Sequence, residues 1–293
     1  MGNAVPTGKV KRQHTVSATY LRKFSRVERN GKYIVCAFNK QTNKIIETQP
    51  ISICKLNEFY ETVEEEQVLE RVFCNFEEKY NILYSELIGG ADTLNEDCKD
   101  NLSKFIALQL LRTEQAKVDL KVMPKSLLET DGPNIEPTFK KEVEEFLNPE
   151  KIRGFNKNFI LKNFSFFSKI LLEMKWILLV NKTRRPFWSS DNPVTFYNAD
   201  KKGGHGLTSS GVQIYFPLSS KHCLIICDPR LYSPLPSLNE VDNSNIDFQR
   251  CLQVNNANHF IFSREKEFLM AHNMINENPN IAKPNRPTTK RVI

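Results

Sequence analysis

The feature that most restricts the fold is a change of hydrophobic period near Met174. Ahead of it, from about Val63 to Ile88, apolar residues return at intervals of three and four. Leu69, Val72, Phe73, Phe76, Tyr80, Leu83 and Leu87 make one stripe and predict a long helix. Gly89 and Gly90 end it by allowing positive φ. Helical spacing resumes from Leu94 to Val122 through Leu102, Phe105, Ile106, Thr113, Ala116 and Leu120, and the two helices are expected to pair antiparallel. Pro124, Asp131, Gly132, Pro133 and Pro137 break the pattern before "FKKEVEEFL" and "FILKNFSFFSKILLEM", which predict two further helices.

Beyond Met174 the runs are short, β-branched or aromatic, and bounded by Pro, Gly, Asn and Asp: "KWILLVN", "PFWSS", "VTFYN", "VQIYFPL", "HCLIICD" and "NHFIFS". These read as strands, with one helix, roughly Val241 to Asn255, before the last. Near the start, Lys32–Phe38 and Lys44–Gln49 read as a hairpin, and "ATYLRKFS" as a helical turn burying Tyr20, Leu21 and Phe24. Segregated helices and strands indicate an α+β fold, a helical bundle packed on a mainly antiparallel sheet built from the hairpin and the later strands. A length of 293 residues fits one domain over residues 1–275, with an entry segment and hairpin at 11–56, a helical part at 57–174 and a mainly β part at 175–265. A basic tail, 276–293, is expected to be extended or mobile.

Composition excludes several classes. No run approaches the roughly 18 apolar residues of a membrane span, and no signal-peptide pattern opens the chain, so a cytoplasmic protein without membrane contact is expected. The seven cysteines show neither a Cys-x-x-Cys pair nor His at zinc-finger spacing, and read as reduced thiols. No Walker loop, Gly-x-Gly-x-x-Gly, Gly-x-Ser-x-Gly or His-Glu-x-x-His occurs. Charge is uneven: residues 1–45 hold ten Lys and Arg against Glu28, whereas residues 57–100 hold thirteen acids against Arg71, Lys79 and Lys99. The two segments can pack together or solvate the surface. Alternatively, the basic arm, with Lys283, Arg286, Lys290 and Arg291, can form a patch for phosphates, which points to a nucleic-acid or nucleotide partner.

A few polar residues sit where apolar ones are expected. Gln109 falls in the centre of the stripe of its helix and Arg112 at its edge, so both need partners or a ligand. In "RPFWSSDNPVTFYN", Ser190, Asp191 and Asn192 interrupt two apolar runs at a turn, and Asp191 is the natural carboxylate for Arg112. Gln13 and His14 precede an apolar turn without a periodic reason. Glu77 flanks its helix's stripe beside Phe73 and Tyr80, while Glu66 and Glu70 follow the same border and suggest a solvated edge.

These residues resemble the domain-of-unknown-function family 4238, found mostly in bacteria. The family's Gln-His-x-Val-Pro-x-x-Tyr-Leu-x-x-Phe entry is matched by Gln13, His14, Val16, Tyr20, Leu21 and Phe24. Its Phe-Ile-Ala-Leu-Gln-x-x-Arg-Thr helix is matched by Phe105 to Thr113, its Ser-Asp-Asn-Pro-Val turn by Ser190 to Val194, and its Phe-Pro-Leu-Ser segment by Phe216 to Ser219. Two positions depart: Ser17 replaces the entry proline, and Glu114 the proline that often follows Arg-Thr. The resemblance implies one domain and a shared site, and no established activity. Two functions are then open. In one, His14, Asp191 and Arg112 are catalytic and Gln13, Gln109, Ser190 and Asn192 bind substrate. The reaction would be hydrolysis of a phosphate-bearing substrate, as by a nuclease or nucleotide hydrolase in phage defence, with Asp191 orienting His14 or holding a divalent cation. In the other, the same residues form a buried structural network in a non-catalytic sensor or interaction module.

Overall fold

The computed structural model describes residues 10–88, 94–131, 135–200 and 203–286. The chain enters through strand β1 (Arg12–His14) and helical turn α1 (Ala18–Leu21), which tightens into a 3-10 turn ending at Phe24. Ser17 starts α1 by accepting from Tyr20 N, and Tyr20, Leu21 and Phe24 are fully buried, as the pattern predicts. Strand β2 (Arg26–Val27) precedes the predicted hairpin, β3 (Tyr33–Asn39) and β4 (Lys44–Thr48), whose turn sets Asn43 at a φ of 55°. Strand β5 (Lys55–Asn57) then returns to pair antiparallel with β1, placing Gln13 opposite Leu56.

Six helices follow: α2 (Val68–Ile88), α3 (Glu96–Leu111), α4 (Glu114–Asp119), α5 (Val122–Asp131), α6 (Pro137–Phe146) and α7 (Pro149–Glu173). The α2 stripe is buried at Leu69, Phe73, Tyr80, Leu83 and Leu87, but α2 starts at Val68 rather than Val63. Its first turn is capped from outside: Glu61 Oε2 accepts the main-chain N–H groups of Leu69 (3.0 Å) and Glu70 (3.4 Å). Gly89 and Gly90 lie outside the described residues. The helix expected over 94–122 divides. Thr113 is extended (φ −73°, ψ 158°), and its hydroxyl caps α4 by accepting from Ala116 N at 3.1 Å.

The rest alternates β6 (Lys175–Asn181), β7 (Ser189–Ser190), β8 (Thr195–Asn198), β9 (Val212–Pro217), β10 (His222–Cys227), α8 (Pro229–Tyr232), β11 (Leu238–Val241), α9 (Asn243–Asn256), β12 (Phe260–Ser263) and α10 (Leu269–Glu277). The α+β class holds, and pairing is mainly antiparallel. The strands, however, divide between two five-stranded sheets and the separate β1–β5 pair instead of forming one sheet. The first has the order β11-β6-β10-β9-β8, with β11 parallel to β6; the second runs β2-β3-β12-β7 with β4 on β3. Residues 191–194 carry the chain from one sheet to the other, which is why a polar turn interrupts two apolar runs there.

Tyr20 joins the layers. Its ring stacks on Phe216 of β9 at 5.2 Å between centroids and lies 5.9 Å from Tyr80 of α2, which stacks on Phe105 of α3 at 4.3 Å. Its hydroxyl donates to Pro217 O and meets Ser189 Oγ at 2.8 Å. The tail differs from expectation. Residues 276–286 fold back as the end of α10 and a 3-10 turn at Pro279–Ala282, burying Ile275 and Ile281 beside Phe38 and Trp188; residues 287–293 lie outside the described part. No described helix is long and apolar enough to cross a membrane.

Candidate functional site

Strand alternation turns Gln13 inward, where its amide replaces a missing ladder partner. Oε1 accepts from Tyr60 N (2.7 Å) and Glu61 N (3.3 Å), and Nε2 donates to Glu61 O (2.7 Å). His14 turns the other way. Its carbonyl accepts from Arg112 Nη2 at 2.7 Å, and its Nε2 is sealed from solvent without a hydrogen-bond partner. Burial of the ring, followed by the charges of Lys55 and Arg112, holds its pKa down to about 3.

Gln109 and Arg112 share a face of α3, three residues apart. Gln109 Nε2 donates to Thr15 O at 3.2 Å. Arg112 is 2% exposed. Its Nη1 donates to Glu77 Oε1 at 2.8 Å, its guanidinium lies 4.0 Å over the Phe73 ring, and its own carbonyl accepts from Tyr60 Oη. The carboxylate that neutralises Arg112 is therefore Glu77, not Asp191. Glu70, two turns before Glu77 on α2, has its pKa pushed up to about 7 by burial, with Arg112 opposing and Glu77 and Glu61 reinforcing the rise. Glu70 Oε1, Gln109 Oε1 and Arg112 Nε, like His14 Nε2, have no hydrogen-bond partner. Of the edge expected to be solvated, Glu66 is exposed, whereas Glu70, like Glu77, is half-buried.

Asp191 belongs to a different network. Its Oδ1 accepts from Asn258 N (2.8 Å), and its Oδ2 from His259 N (2.6 Å) and Phe260 N (3.0 Å). A buried carboxylate accepting from three main-chain donors fixes the turn into β12, and most of its acceptor capacity is taken by the protein's own backbone. Burial raises its pKa, and these three bonds oppose the rise. Lys40 stands beside this turn, fully buried, donating to Val254 O and Ala257 O at 2.7 Å each; burial, and then Arg286, lowers its pKa to about 7. Ser190 Oγ donates to Gln253 Oε1 (2.7 Å) and accepts from Asn192 N (3.2 Å). Asn192 Nδ2 donates to Asn256 O, and its Oδ1 accepts from Thr113 Oγ1 at 3.2 Å.

The entry segment, the Arg112 helix and the Asp191 turn therefore do converge: His14 O on Arg112, Thr15 O on Gln109, Thr113 on Asn192. The family model described as "Protein of unknown function (DUF4238)" matches residues 12–267. The chain belongs to the DUF4238 family. Comparison with curated proteins and with solved structures returns no match. In this DUF4238 chain three of the stretches that carry the resemblance (the Gln-His entry, the Gln-x-x-Arg-Thr helix end and the Ser-Asp-Asn turn) are the pieces that meet.

What they hold is α4, which separates two clefts. On one side a cavity of about 690 Å³ is lined by Phe59, Glu114, Lys117, Val118, Lys121, Val122, Lys125, Ser126, Glu129 and Asn285. On the other, a cavity of about 360 Å³ opens between α4 and β8, with Asn192 and Asn256 at its polar end and His205 on its wall. Among the described residues no group of three or more His, Cys, Asp or Glu side chains is placed to hold a metal ion. The sequence pattern places Glu70 and Glu77 at the border of α2 without pairing Glu77 to Arg112, and it does not single out the lysines of the larger cleft or Gln249, Gln253 and Asn256 of α9. The α9 residues do leave a signal, since spacings of four and three put all three amides on one buried face.

Proposed function

We propose that this protein is a cytoplasmic, non-catalytic binding module whose ligand bears phosphate, a nucleotide or nucleic acid, and whose buried polar residues are scaffolding. The engagement of Asp191 by three main-chain N–H groups, with no bond to Arg112 or His14 among them, carries this reading. Arg112 is committed to Glu77 and His14 O, so it has little left for a phosphate, and a histidine held to about pKa 3 is a weak base at neutral pH. Gln13, Gln109, Ser190 and Asn192 likewise serve the protein's own groups. The test is an assay of purified protein with DNA, RNA and nucleotides in Mg²⁺ or Mn²⁺, beside His14→Ala. No turnover is expected. Turnover by the wild type that is lost in a His14→Ala variant of unchanged melting temperature overturns the reading.

One observation favours a second reading, hydrolysis of a phosphate-bearing substrate as by a nuclease or nucleotide hydrolase in phage defence. Glu70, with a pKa raised to about 7, has the proton affinity of a general acid–base group at neutral pH and lies within the field of Arg112. Glu70→Gln in the same assay tests it, with loss of turnover and of a pH limb near 7 as the expected result.

A further inference from the structure

We propose that the cleft bounded by α4, α5 and the Phe59 turn is a binding site for a phosphate ester of nucleotide size. The inference rests on the binding-module reading above and adds the site and the ligand class. Lys117, Lys121 and Lys125 recur every four residues and line one cavity. Main-chain bonds from Lys121 N to Val118 O (2.9 Å) and from Lys125 N to Lys121 O (3.1 Å) carry the helical path through the α4–α5 junction and keep them on one side. Of the two acids in the wall, Glu114 also faces His259 Nε2 at 3.5 Å, so three ammonium groups stand against Glu129 and a carboxylate shared with that imidazole.

Lys117 shows the consequence. Its ammonium donates to Phe59 O at 3.2 Å and sits 4.3 Å from the Phe59 ring centroid, and its neighbours in charge include Lys121 and Arg153. Burial, then those two cations, lowers its pKa to about 8 against the single opposing pull of Glu114. Crowded like charges in a half-enclosed site are relieved by an anion, and phosphate, with several acceptor oxygens, suits several lysines together. Val118, Val122 and Phe59 provide apolar surface for the remainder of the ligand, and about 690 Å³ falls in the roughly 300–1,000 Å³ range of small-molecule sites.

The buried polar network acquires a purpose from this placement, because both walls hang on the Ser190–Asn192 turn. Asn192 accepts from Thr113, which caps α4. Asp191 holds Asn258 N, and Asn258 Oδ1 accepts from Asn285 N at 2.6 Å, which fixes the opposite rim. A bounded cavity favours a mononucleotide over an extended strand, which needs a continuous groove with stacking rings.

The experiment is calorimetric titration of the full chain with ribonucleoside mono-, di- and triphosphates, inorganic phosphate and a short single-stranded oligonucleotide, at two salt concentrations. Each is repeated on Lys121→Glu/Lys125→Glu, which leaves the Lys117–Phe59 contact intact. A nucleotide should bind, more weakly in high salt, and the double variant should weaken it at least about tenfold without lowering the melting temperature. Wild-type binding of none of these probes, or binding that the variant leaves unchanged, overturns the site. Tighter binding of the oligonucleotide than of every mononucleotide overturns the ligand class. Chromatography of the titrated samples separates the two readings: turnover defeats the non-catalytic reading and leaves the cleft standing, binding that the double variant leaves unchanged defeats only the cleft, and absence of all binding defeats the cleft and the phosphate ligand together.

Discussion

At the scale of single residues, Arg112 and Asp191 are two independent anchors, and their energetics should say so. Asp191→Ala strands three buried N–H donors, and Arg112→Ala strands Glu77 beside the rim of a buried cluster. Each should cost about 3–5 kcal/mol, the usual penalty for orphaning a buried charge and its hydrogen-bond partners. Because they share no partner, the double variant should show a coupling energy within about 0.5 kcal/mol of zero, whereas Arg112 with Glu77 should couple clearly in urea unfolding. Large Arg112–Asp191 coupling would mean that the two side chains meet. Glu70 and His14 set opposite pH limbs. Glu70 rises from 4.5 to about 7 on folding, so the folded state binds its proton more tightly. Stability from this group is full below about pH 4.5 and is lost as pH climbs through 7. Glu70→Gln should therefore raise the melting temperature at pH 8, by about 3 kcal/mol in stability, and change little at pH 4. His14 falls from 6.5 to about 3, so its contribution is present above 6.5 and lost as pH drops toward 3. Melting curves of Glu70→Gln across this range check the first limb; an equal shift at both pH values would refute it.

At the scale of elements, what was legible followed from period, and what was not followed from long-range hydrogen bonds. The α2 stripe, the hairpin and the apolar runs of β6, β9 and β10 announce themselves because neighbours in sequence bury the same face. The break after α3 does not, since Thr113 fits the helical stripe. It is pulled out by Tyr60, which donates to Arg112 O, and by Asn192, which takes the Thr113 hydroxyl. The partner of Arg112 differs from the expected one for the same reason: Asp191 and Glu77 are both plausible carboxylates in sequence, and only the packing of α2 against α3 selects Glu77. That Gln109 and Arg112 need partners is legible, because buried polar residues must find them somewhere; that the entry segment supplies carbonyls to both is not. Glu114 occupies the first position of α4, where proline is also favoured, and its charge suits a helix N-terminus. Glu114→Pro, the residue common in the family, should be tolerated or stabilising by a few tenths of a kcal/mol up to about 1 kcal/mol. Thr113→Ala, which removes both the cap and the Asn192 contact, should cost about 1–2 kcal/mol. Thermal melts of the two variants with opposite signs would support α4 as a separately anchored element; a large loss in Glu114→Pro would count against it.

At the scale of the whole molecule, the entry hairpin and residues 268–281 are packed into one body, and this decides where the protein can be cut. β3, from the entry region, pairs with β12, and the small core around Cys36, Phe38, Trp188, Val254 and Ile261 is closed by Phe268, Ala271, Ile275 and Ile281. Phe268 stacks on Phe38 at 5.4 Å between centroids and lies 5.2 Å from Trp188. The family match stops at residue 267, one residue before this closure begins. A chain ending at residue 267 keeps every stretch by which the family is recognised but loses three large apolar side chains from that core, at about 1.5–3 kcal/mol each. It also uncovers Phe38 and Trp188. The sum, about 5 kcal/mol or more, is comparable with the whole stability of many domains, so the shortened chain should melt far lower or lose its cooperative transition. The indole emission of Trp188 should also shift to the red as its cover is removed. Fluorescence and thermal melts of the truncated and full chains test this directly. Equal melting temperatures and unchanged emission would show that residues 268–286 decorate the fold without closing it.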